Sequence, residues 1–193
     1  MVISNVSGRE KVIGMLVGFK SYNSKEKISK EEIIKFIKDN SKCFNNDFEK
    51  GHITGSAIVV DEDLEYTLLT YHPFIKRWLQ FGGHSDSSPN TIAVAFREAE
   101  EESGLTSLHF LEGKESVFDV DVHKIPAKAD MPEHKHYDIR ILLVADKNEP
   151  FTVSHESKEL RWVKLEEARK YNKQPAFLRL VNKVIRLRNS SSK

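Results

Sequence analysis

The spacing of apolar residues predicts helices in the first fifty residues. Between residues 33 and 37, isoleucines and a phenylalanine recur at helical spacing and would form one buried stripe. Two Ser/Glu pairs have the capping-box spacing, in which each side chain satisfies a free backbone donor of the other residue. These pairs predict helix starts at Ser7 with Glu10 and at Ser29 with Glu32.

After residue 51 the pattern changes to short runs of β-branched and aromatic residues, which are typical of strands. The runs ITGSAIVV and EYTLLTYH, separated by the acidic turn DEDLE, predict a β-hairpin, and the extended piece RWLQF follows. Later strands are predicted in SVFDVDVHKI, HYDIRILLVAD and ELRWVKL, before a short helix at 165–171 and a longer one opened by Pro175.

Strands on both sides of one central helix, with helices at both ends of the chain, predict an α+β fold. We expect a mixed central sheet covered on both faces. The change of pattern divides the chain into an N-terminal helical extension, residues 1–50, and one folded domain, residues 51–193.

The central helix is predicted to begin at Ser88-Pro89, a hydroxyl cap followed by a proline, and to end at Gly104. Its buried face consists of small and apolar side chains at helical spacing: Ile92, Ala95, Phe96, Ala99 and Ser103.

Three carboxylates, Glu98, Glu101 and Glu102, lie on an adjacent arc of this helix. The helix dipole disfavours negative charge in the last turns, and repulsion adds roughly 0.2–0.5 kcal/mol per like-charged pair. A divalent cation such as Mg²⁺, which prefers carboxylate oxygens, would reverse this cost. The residues alone leave open whether the arc is a solvated acidic face or a cation site.

The residues upstream of the arc complete a known signature. Gly83 followed after thirteen residues by REAEEESGL is similar to the Nudix box, the signature of Nudix hydrolases. One position departs from the box, because Pro89 stands where a glutamate is expected. The resemblance extends over roughly residues 50–170, with Trp78 a few residues before the double glycine.

This resemblance implies a Nudix-type α/β/α sandwich and a pyrophosphohydrolase, a hydrolase acting on acid anhydrides. The substrate would be a nucleoside diphosphate linked to another moiety, cleaved by water that a bound Mg²⁺, or Mn²⁺, activates for attack on phosphorus. The resemblance assigns metal binding to Gly83, Glu98, Glu101 and Glu102, and orientation of the carboxylates to Arg97. The general base is expected to be Glu156, with Glu159 in reserve and Glu101 or Glu102 as further candidates.

The chain has eight histidines, and three of them, His52, His84 and His136, are expected to contact substrate. His134, His136 and Asp138 alternate along a predicted strand and so face one side, where they would bind a metal or phosphate or form a polar sheet face. Three aromatic residues could stack on a base, although core packing is the commoner use: Trp78, Phe81 and Tyr137.

Composition limits the partners. The formal net charge is +1, which does not favour nucleic acid, and no segment approaches the ~18 apolar residues of a membrane helix. Cys43 is the sole cysteine, so an intrachain disulfide is impossible. We therefore expect a cytoplasmic protein with a small-molecule nucleotide substrate, and a homodimer remains open.

Two other functions compete with hydrolysis. Isopentenyl-diphosphate isomerases share the Nudix fold and bind a metal through histidines, a layout similar to His52 with His84, but their catalytic cysteine would fall at Gly82. A nucleotide-binding sensor that lost turnover is the other alternative, and Pro89 is the feature that favours it.

Overall fold

The computed structural model describes residues 7–47, 49–73, 75–128, 131–152 and 158–191. It contains four α-helices and eight strands within these ranges. In chain order they are α1 (Gly8–Gly18), α2 (Ser24–Asp39), β1 (His52–Asp61), β2 (Tyr66–His72), β3 (Arg77–Leu79), β4 (Phe81–His84), α3 (Thr91–Ser103), β5 (His109–Phe110), β6 (Asp119–Ile125), β7 (His134–Ala145), β8 (Glu159–Lys164) and α4 (Pro175–Ser191). Short 3₁₀ helices cover Leu111–Gly113 and Leu165–Lys170.

Strand β1 is central in a mixed sheet. It pairs antiparallel with β2 and β4, and parallel with β7 over ten residue pairs from His52 with His136 to Asp61 with Ala145. Strands β5 and β6 add antiparallel to β7, while β3 and β8 add to β2. The predicted hairpin and mixed sheet are confirmed.

Helices cover both faces of this sheet. Because side chains alternate along β1, Ala57 and Val59 pack in the cluster that contains α3, and Ile58 and Val60 pack in the cluster that contains α4. Helices α1 and α2 cover Ile53 and its neighbours, further along the α3 face. The predicted α+β sandwich with helices at the N-terminus is therefore confirmed.

Two predicted helix starts are wrong. Helix α2 is capped by Asn23, whose side chain accepts from the Glu26 backbone N–H at 2.9 Å, so Ser29 lies inside the helix and is buried. Helix α3 is capped by Asn90, two residues after Ser88. Asparagine is among the strongest N-caps, and in both cases it decides the boundary.

Two other predicted helix boundaries are confirmed. The capping box of Ser7 is present in full, and Gly104 ends α3 in the left-handed conformation with φ of 66°. Phe81 and Tyr137 are core residues, as expected from their chemistry. Within the described residues, no helix has both the length and the apolar character needed to cross a membrane.

Candidate active site

The site is built where the third turn of α3 meets β4. Gly83 of β4 pairs with Gly55 of β1, and the Glu98 side chain lies directly over it. A Cβ added to Gly83 would stand 2.5 Å from Cδ of Glu98, closer than real Cβ atoms approach. The first glycine of the signature is therefore needed because the carboxylate occupies the space above its backbone.

A second glycine that the sequence analysis did not single out brings the helix this close. A Cβ on Gly55 would lie 2.7 Å from the Thr91 carbonyl oxygen and 3.0 Å from the Ala95 nitrogen, both in α3. Glycine inside a strand often marks such a close backbone approach, and this was the available signal in GHITGSAIVV.

Arg97 lies among the acidic side chains. Its Nη2 is 2.5 Å from Oε1 of Glu98 and 3.8 Å from a carboxylate oxygen of Asp86, and its Nε is 3.7 Å from Oε2 of Glu101. The hydrogen bond to Glu98 raises the pKa of Arg97 above its ordinary value. The Glu98 side chain is 16% exposed and the Glu101 side chain 64%, so the acidic arc runs from the sheet out to solvent.

Glu102 ties the end of α3 to the double glycine. Its Oε1 accepts a hydrogen bond from the Gly82 backbone N–H at 3.0 Å. Glu98 over Gly83 and Glu102 on Gly82 therefore hold two successive turns of α3 against one short piece of β4.

These groups form a suitable donor set for a hard cation. Glu98, Glu101 and Glu102 offer carboxylate oxygens, the ligands that Mg²⁺ prefers, and the backbone of Gly83 lies next to the Glu98 carboxylate. Arg97 offsets part of their negative charge. Among the residues that the structure describes, the oxygens of these three carboxylates do not all lie within 4.8 Å of one another.

Pro89, where the signature expects a glutamate, lies against the first helix. A Cβ on Gly8 would stand 2.5 Å from Cβ of Pro89, so the start of α1 touches the loop that precedes α3. The same loop accepts further support from the N-terminal segment, through Ser87 N–H to the Phe44 carbonyl at 2.9 Å and Asn46 to Asp86 at 3.1 Å. Packing of residues 8–46 thus supports this loop.

Two of the candidate bases, Glu156 and Glu159, are not part of α3. Glu156 lies outside the described residues. Glu159 is on β8, opposite Tyr71 of β2, and its carboxylate accepts from the Arg161 Nε at 3.1 Å. Glu159 is therefore engaged in an ion pair next to the sheet edge.

The predicted histidines come together. His52, His84 and His136 each offer a ring nitrogen, and these three atoms lie within 4.8 Å of one another. His134 and His136 share a face as predicted, with their Nε2 atoms 3.2 Å apart. His123 of β6, which the sequence analysis did not select, also joins them, with its ring centroid 5.6 Å from that of His136.

Asp138 shares this face but has a different environment. Its carboxylate accepts from the hydroxyls of Thr54 at 3.0 Å and Ser56 at 2.8 Å, and from the Arg140 Nε at 2.7 Å. The third member of the predicted His/His/Asp set is therefore part of a buried ionic network rather than of the histidine group.

The three aromatic candidates for base stacking lie in different environments. Phe81 is fully buried beneath α3, and Tyr137 stacks on Phe36 with ring centroids 3.8 Å apart. Trp78 is half-buried, in edge contact with Tyr71 and Tyr171. Of the three, Trp78 alone keeps partial access to solvent.

Comparison with known proteins identifies the family of the chain. The sequence profile of the NUDIX domain matches residues 51–182, and the chain belongs to the Nudix family. No protein with a curated description matches the sequence. The expectation of a Nudix pyrophosphohydrolase, an enzyme acting on acid anhydrides, is confirmed at the level of this family.

Solved structures of Nudix proteins share the fold. A Caenorhabditis elegans Ap4A hydrolase in a binary complex is 20% identical, with 70% of this chain and 96% of that chain covered and a TM-score of 0.52. A NUDIX family hydrolase from Clostridium perfringens is 23% identical, with coverage of 70% and 97% and a TM-score of 0.51. The Escherichia coli dihydroneopterin triphosphate pyrophosphohydrolase is 12% identical, with coverage of 69% and 95% and a TM-score of 0.54.

Proposed function

We propose that this protein is a divalent-metal-dependent hydrolase that cleaves the diphosphate linkage of a nucleoside diphosphate joined to another moiety. The observation that carries the proposal is the Glu98 carboxylate seated over Gly83, with Glu101 and Glu102 continuing the same arc of α3. This arrangement is costly for an isolated helix and suitable for a cation.

In this proposal Glu98, Glu101 and Glu102 hold the cation, together with the backbone of Gly83. Bound Mg²⁺ would neutralise diphosphate charge and lower the pKa of a water ligand. Arg97 orients Glu98 and Glu101, which it already contacts. The buried half of the site, Glu98 against β4, fixes the position of the carboxylates, and the exposed half at Glu101 is where substrate can approach.

Hydrolysis forms one bond from the water oxygen to phosphorus and breaks one bridging P–O bond, and the water proton passes to a base. We propose Glu156 as that base, with Glu102 as the competing group because it lies at the end of the same arc. Glu156→Gln and Glu102→Gln distinguish the two: loss of the base lowers kcat and changes its pH profile, whereas loss of a metal ligand is partly relieved by raising Mg²⁺.

The isomerase alternative meets an obstacle at Gly82. Its φ is 155°, and a Cβ there would lie 2.8 Å from the Ser56 Cα and 2.9 Å from the Gly55 carbonyl oxygen. A cysteine at this position would require β1 to move. His52 and His84, which lie together, are the feature shared with the isomerases, whereas the carboxylates of α3 and the glycine at position 82 favour hydrolysis.

The test is a substrate panel with Mg²⁺ and with Mn²⁺, in which both products are identified to locate the broken bond. Since two fold relatives are named for Ap4A and dihydroneopterin triphosphate, both compounds belong in the panel, with ADP-ribose and nucleotide sugars. Isopentenyl diphosphate is included to detect isomerisation.

Variants identify the site. We expect Glu98→Gln and Glu101→Gln to lower kcat/KM by more than about 100-fold, because each removes a charged ligand. Glu100→Gln is the matched control, since it removes the same charge from an exposed position of the same helix outside the arc. Tight nucleotide binding without cleavage of any diphosphate would indicate the sensor instead.

A further inference from the structure

A group of imidazoles that the proposed hydrolysis does not use lies at one end of the sheet. We call His52, His84 and His136 the histidine cluster. They come from three neighbouring strands, β1, β4 and β7, and their ligand nitrogens all lie within 4.8 Å of one another. His52 is fully buried, and the other two are half-buried. Strand pairing therefore holds the three side chains in place.

The histidine cluster and the acidic arc lie on opposite faces of the sheet. Gly83 faces α3 and Glu98, whereas the next residue, His84, pairs with Thr54 and points to the other face, because successive strand residues alternate. His52 and Thr54 share that second face with Asp138 and Arg140. The cluster is thus separate from the carboxylates of α3.

Backbone carbonyls set the tautomers of two rings. Nδ1 of His52 lies 3.3 Å from the Asp47 carbonyl oxygen, and Nδ1 of His134 lies 2.9 Å from the Pro132 carbonyl oxygen. Since a carbonyl only accepts, each Nδ1 donates, and Nε2 carries the lone pair. A metal-binding histidine commonly has this arrangement, with its other ring nitrogen donating to a carbonyl.

His134 adds a contact to the cluster. Its Nε2 is 3.2 Å from Nε2 of His136, which fixes the orientation of that ring. The surroundings also favour uncharged imidazoles: burial and, after it, the neighbouring histidines together lower the pKa of His52 to about 4 and that of His136 to about 2. Neutral imidazole is the form that ligates a metal.

We propose that the histidine cluster is a second metal site, which binds one divalent transition-metal ion such as Zn²⁺ through His52, His84 and His136. Imidazole suits Zn²⁺, Co²⁺, Ni²⁺ and Cu²⁺, whereas Mg²⁺ prefers oxygen. Zn–N bonds of about 2.0–2.1 Å place tetrahedral ligand atoms about 3.3 Å apart, so binding requires each ring to move by less than ~1 Å. Three protein ligands leave a fourth position for water or a ligand oxygen.

The experiment uses the full chain, stripped of metal by a chelator and titrated with Co²⁺ in a large excess of Mg²⁺. We expect visible absorption bands of nitrogen-coordinated Co²⁺ that saturate at one ion per chain and disappear when Zn²⁺ is added. The readout is independent of hydrolysis, so the site can be established whether or not a diphosphate is cleaved.

Variants locate the bound ion. His84→Gln, at a half-buried position, and His136→Gln should each weaken Co²⁺ binding by more than about 10-fold. His109→Gln, an exposed histidine of β5 outside the cluster, and Glu101→Gln on the acidic arc should leave the bands unchanged. Circular dichroism checks that each variant is folded. Because His84 is partly exposed, His84→Gln is expected to disturb the fold less than His136→Gln.

Either of two results would overturn the proposal. The first is the absence of Co²⁺ and Zn²⁺ binding to the stripped wild-type chain. The second is binding that Glu101→Gln removes and His84→Gln does not, which would place the ion on the acidic arc.

Discussion

Two adjacent glycines, Gly82 and Gly83, have different neighbours, so an added methyl group would have different consequences at the two positions. At Gly83 the methyl would meet the end of the Glu98 side chain, which can rotate away. At Gly82 it would meet the backbone of Ser56 and Gly55, which cannot shift unless β1 moves. The φ of Gly82 is also 155°, a backbone conformation that residues with a side chain rarely adopt. The first change disturbs a carboxylate and the second disturbs the sheet.

We therefore expect Gly83→Ala to fold with a loss of unfolding free energy of under about 1 kcal/mol while diphosphate hydrolysis falls by at least about 10-fold, because the Glu98 carboxylate is displaced. Gly82→Ala should cost more than about 2 kcal/mol. Urea unfolding and kcat/KM on the same preparations measure both. Equal loss of stability in the two variants would contradict the assignment of Gly83 as the position that makes room for Glu98.

The acidic arc and the histidine cluster differ in how far sequence could predict them. The carboxylates lie within one helix, where a period of 3.6 residues fixes which side chains share an arc, so spacing was sufficient. The histidines meet only because β1 and β7 run parallel, joining residues 84 positions apart, as at Thr54 and Asp138. Alternation predicted that His134 and His136 share a face, but not that His52, His84 and His123 would lie beside them.

At the scale of elements, α1 is coupled to the loop before α3. Gly8, in the first turn of α1, touches Pro89, while Gly14 in the same helix has open space around its Cα. Helix α1 of the N-terminal extension therefore packs against the position where the Nudix box has a glutamate. We propose on this basis that the N-terminal extension is required for a stable domain.

Alanine substitutions in α1 test this coupling. Gly14→Ala should stabilise the protein by roughly 0.5–1 kcal/mol, because alanine is the better helix former and nothing opposes its methyl group. Gly8→Ala should show no gain and a net loss, because the methyl group overlaps the rigid Pro89 ring. Thermal unfolding of the two variants measures the difference in stability. A similar gain in stability from both would show that the contact between Gly8 and Pro89 has room for a methyl group.

Element boundaries were less predictable than element types. The capping pattern at Ser29 has the correct spacing, but Asn23 begins the same helix earlier and leaves Ser29 in its buried interior. Strand β5, two residues long, has too few residues for any alternation to be visible. Local patterns identify which segments are helical, whereas competition between neighbouring caps decides where each helix begins.

At the scale of the molecule, a buried ionic network joins α2, the sheet and α4. Arg179 of α4 donates from Nε and Nη2 to the two oxygens of Asp119 at 2.8 and 2.7 Å, and Lys183 donates to Glu26 of α2 at 2.7 Å. The network contains four carboxylates, Glu26, Asp119, Asp121 and Asp138, and three cations, Arg140, Arg179 and Lys183. Single sequence patterns could not predict it, because its members come from four elements.

The network predicts how stability depends on pH. Burial raises the pKa of Asp119 and Asp121, but hydrogen bonds and the charges of Arg140 and Arg179 outweigh burial, and both pKa values are lowered overall. Their stabilisation is therefore present above the unfolded pKa of about 3.9 and is lost as pH falls through the lower folded values. Urea midpoints should drop steeply below about pH 4, and Asp121→Asn should make that drop shallower.

The contribution of Glu26 to stability depends on pH in the opposite direction. Burial, followed by the neighbouring Asp119, raises its pKa, so its contribution is present below the unfolded value of about 4.3 and is lost as pH rises through the folded value. Replacing it with glutamine keeps an oxygen for Lys183 and leaves three carboxylates against three cations. We expect Glu26→Gln to change the unfolding free energy at pH 7 by under about 1 kcal/mol.

Asp119→Asn should behave differently although it also removes one negative charge. Asp119 is fully buried and pairs with Arg179 through both oxygens, so the amide removes the carboxylate that accepts two hydrogen bonds from a buried guanidinium and leaves the longer 3.4 Å contact with Asp121, at a cost of about 3–5 kcal/mol. Urea unfolding of the two variants at pH 7, with Asp119→Asn compared again at pH 4, measures the contrast. If both variants lost the same free energy, the network would respond to its total charge, and the specific pairing of Asp119 with Arg179 would not be what joins α4 to the sheet.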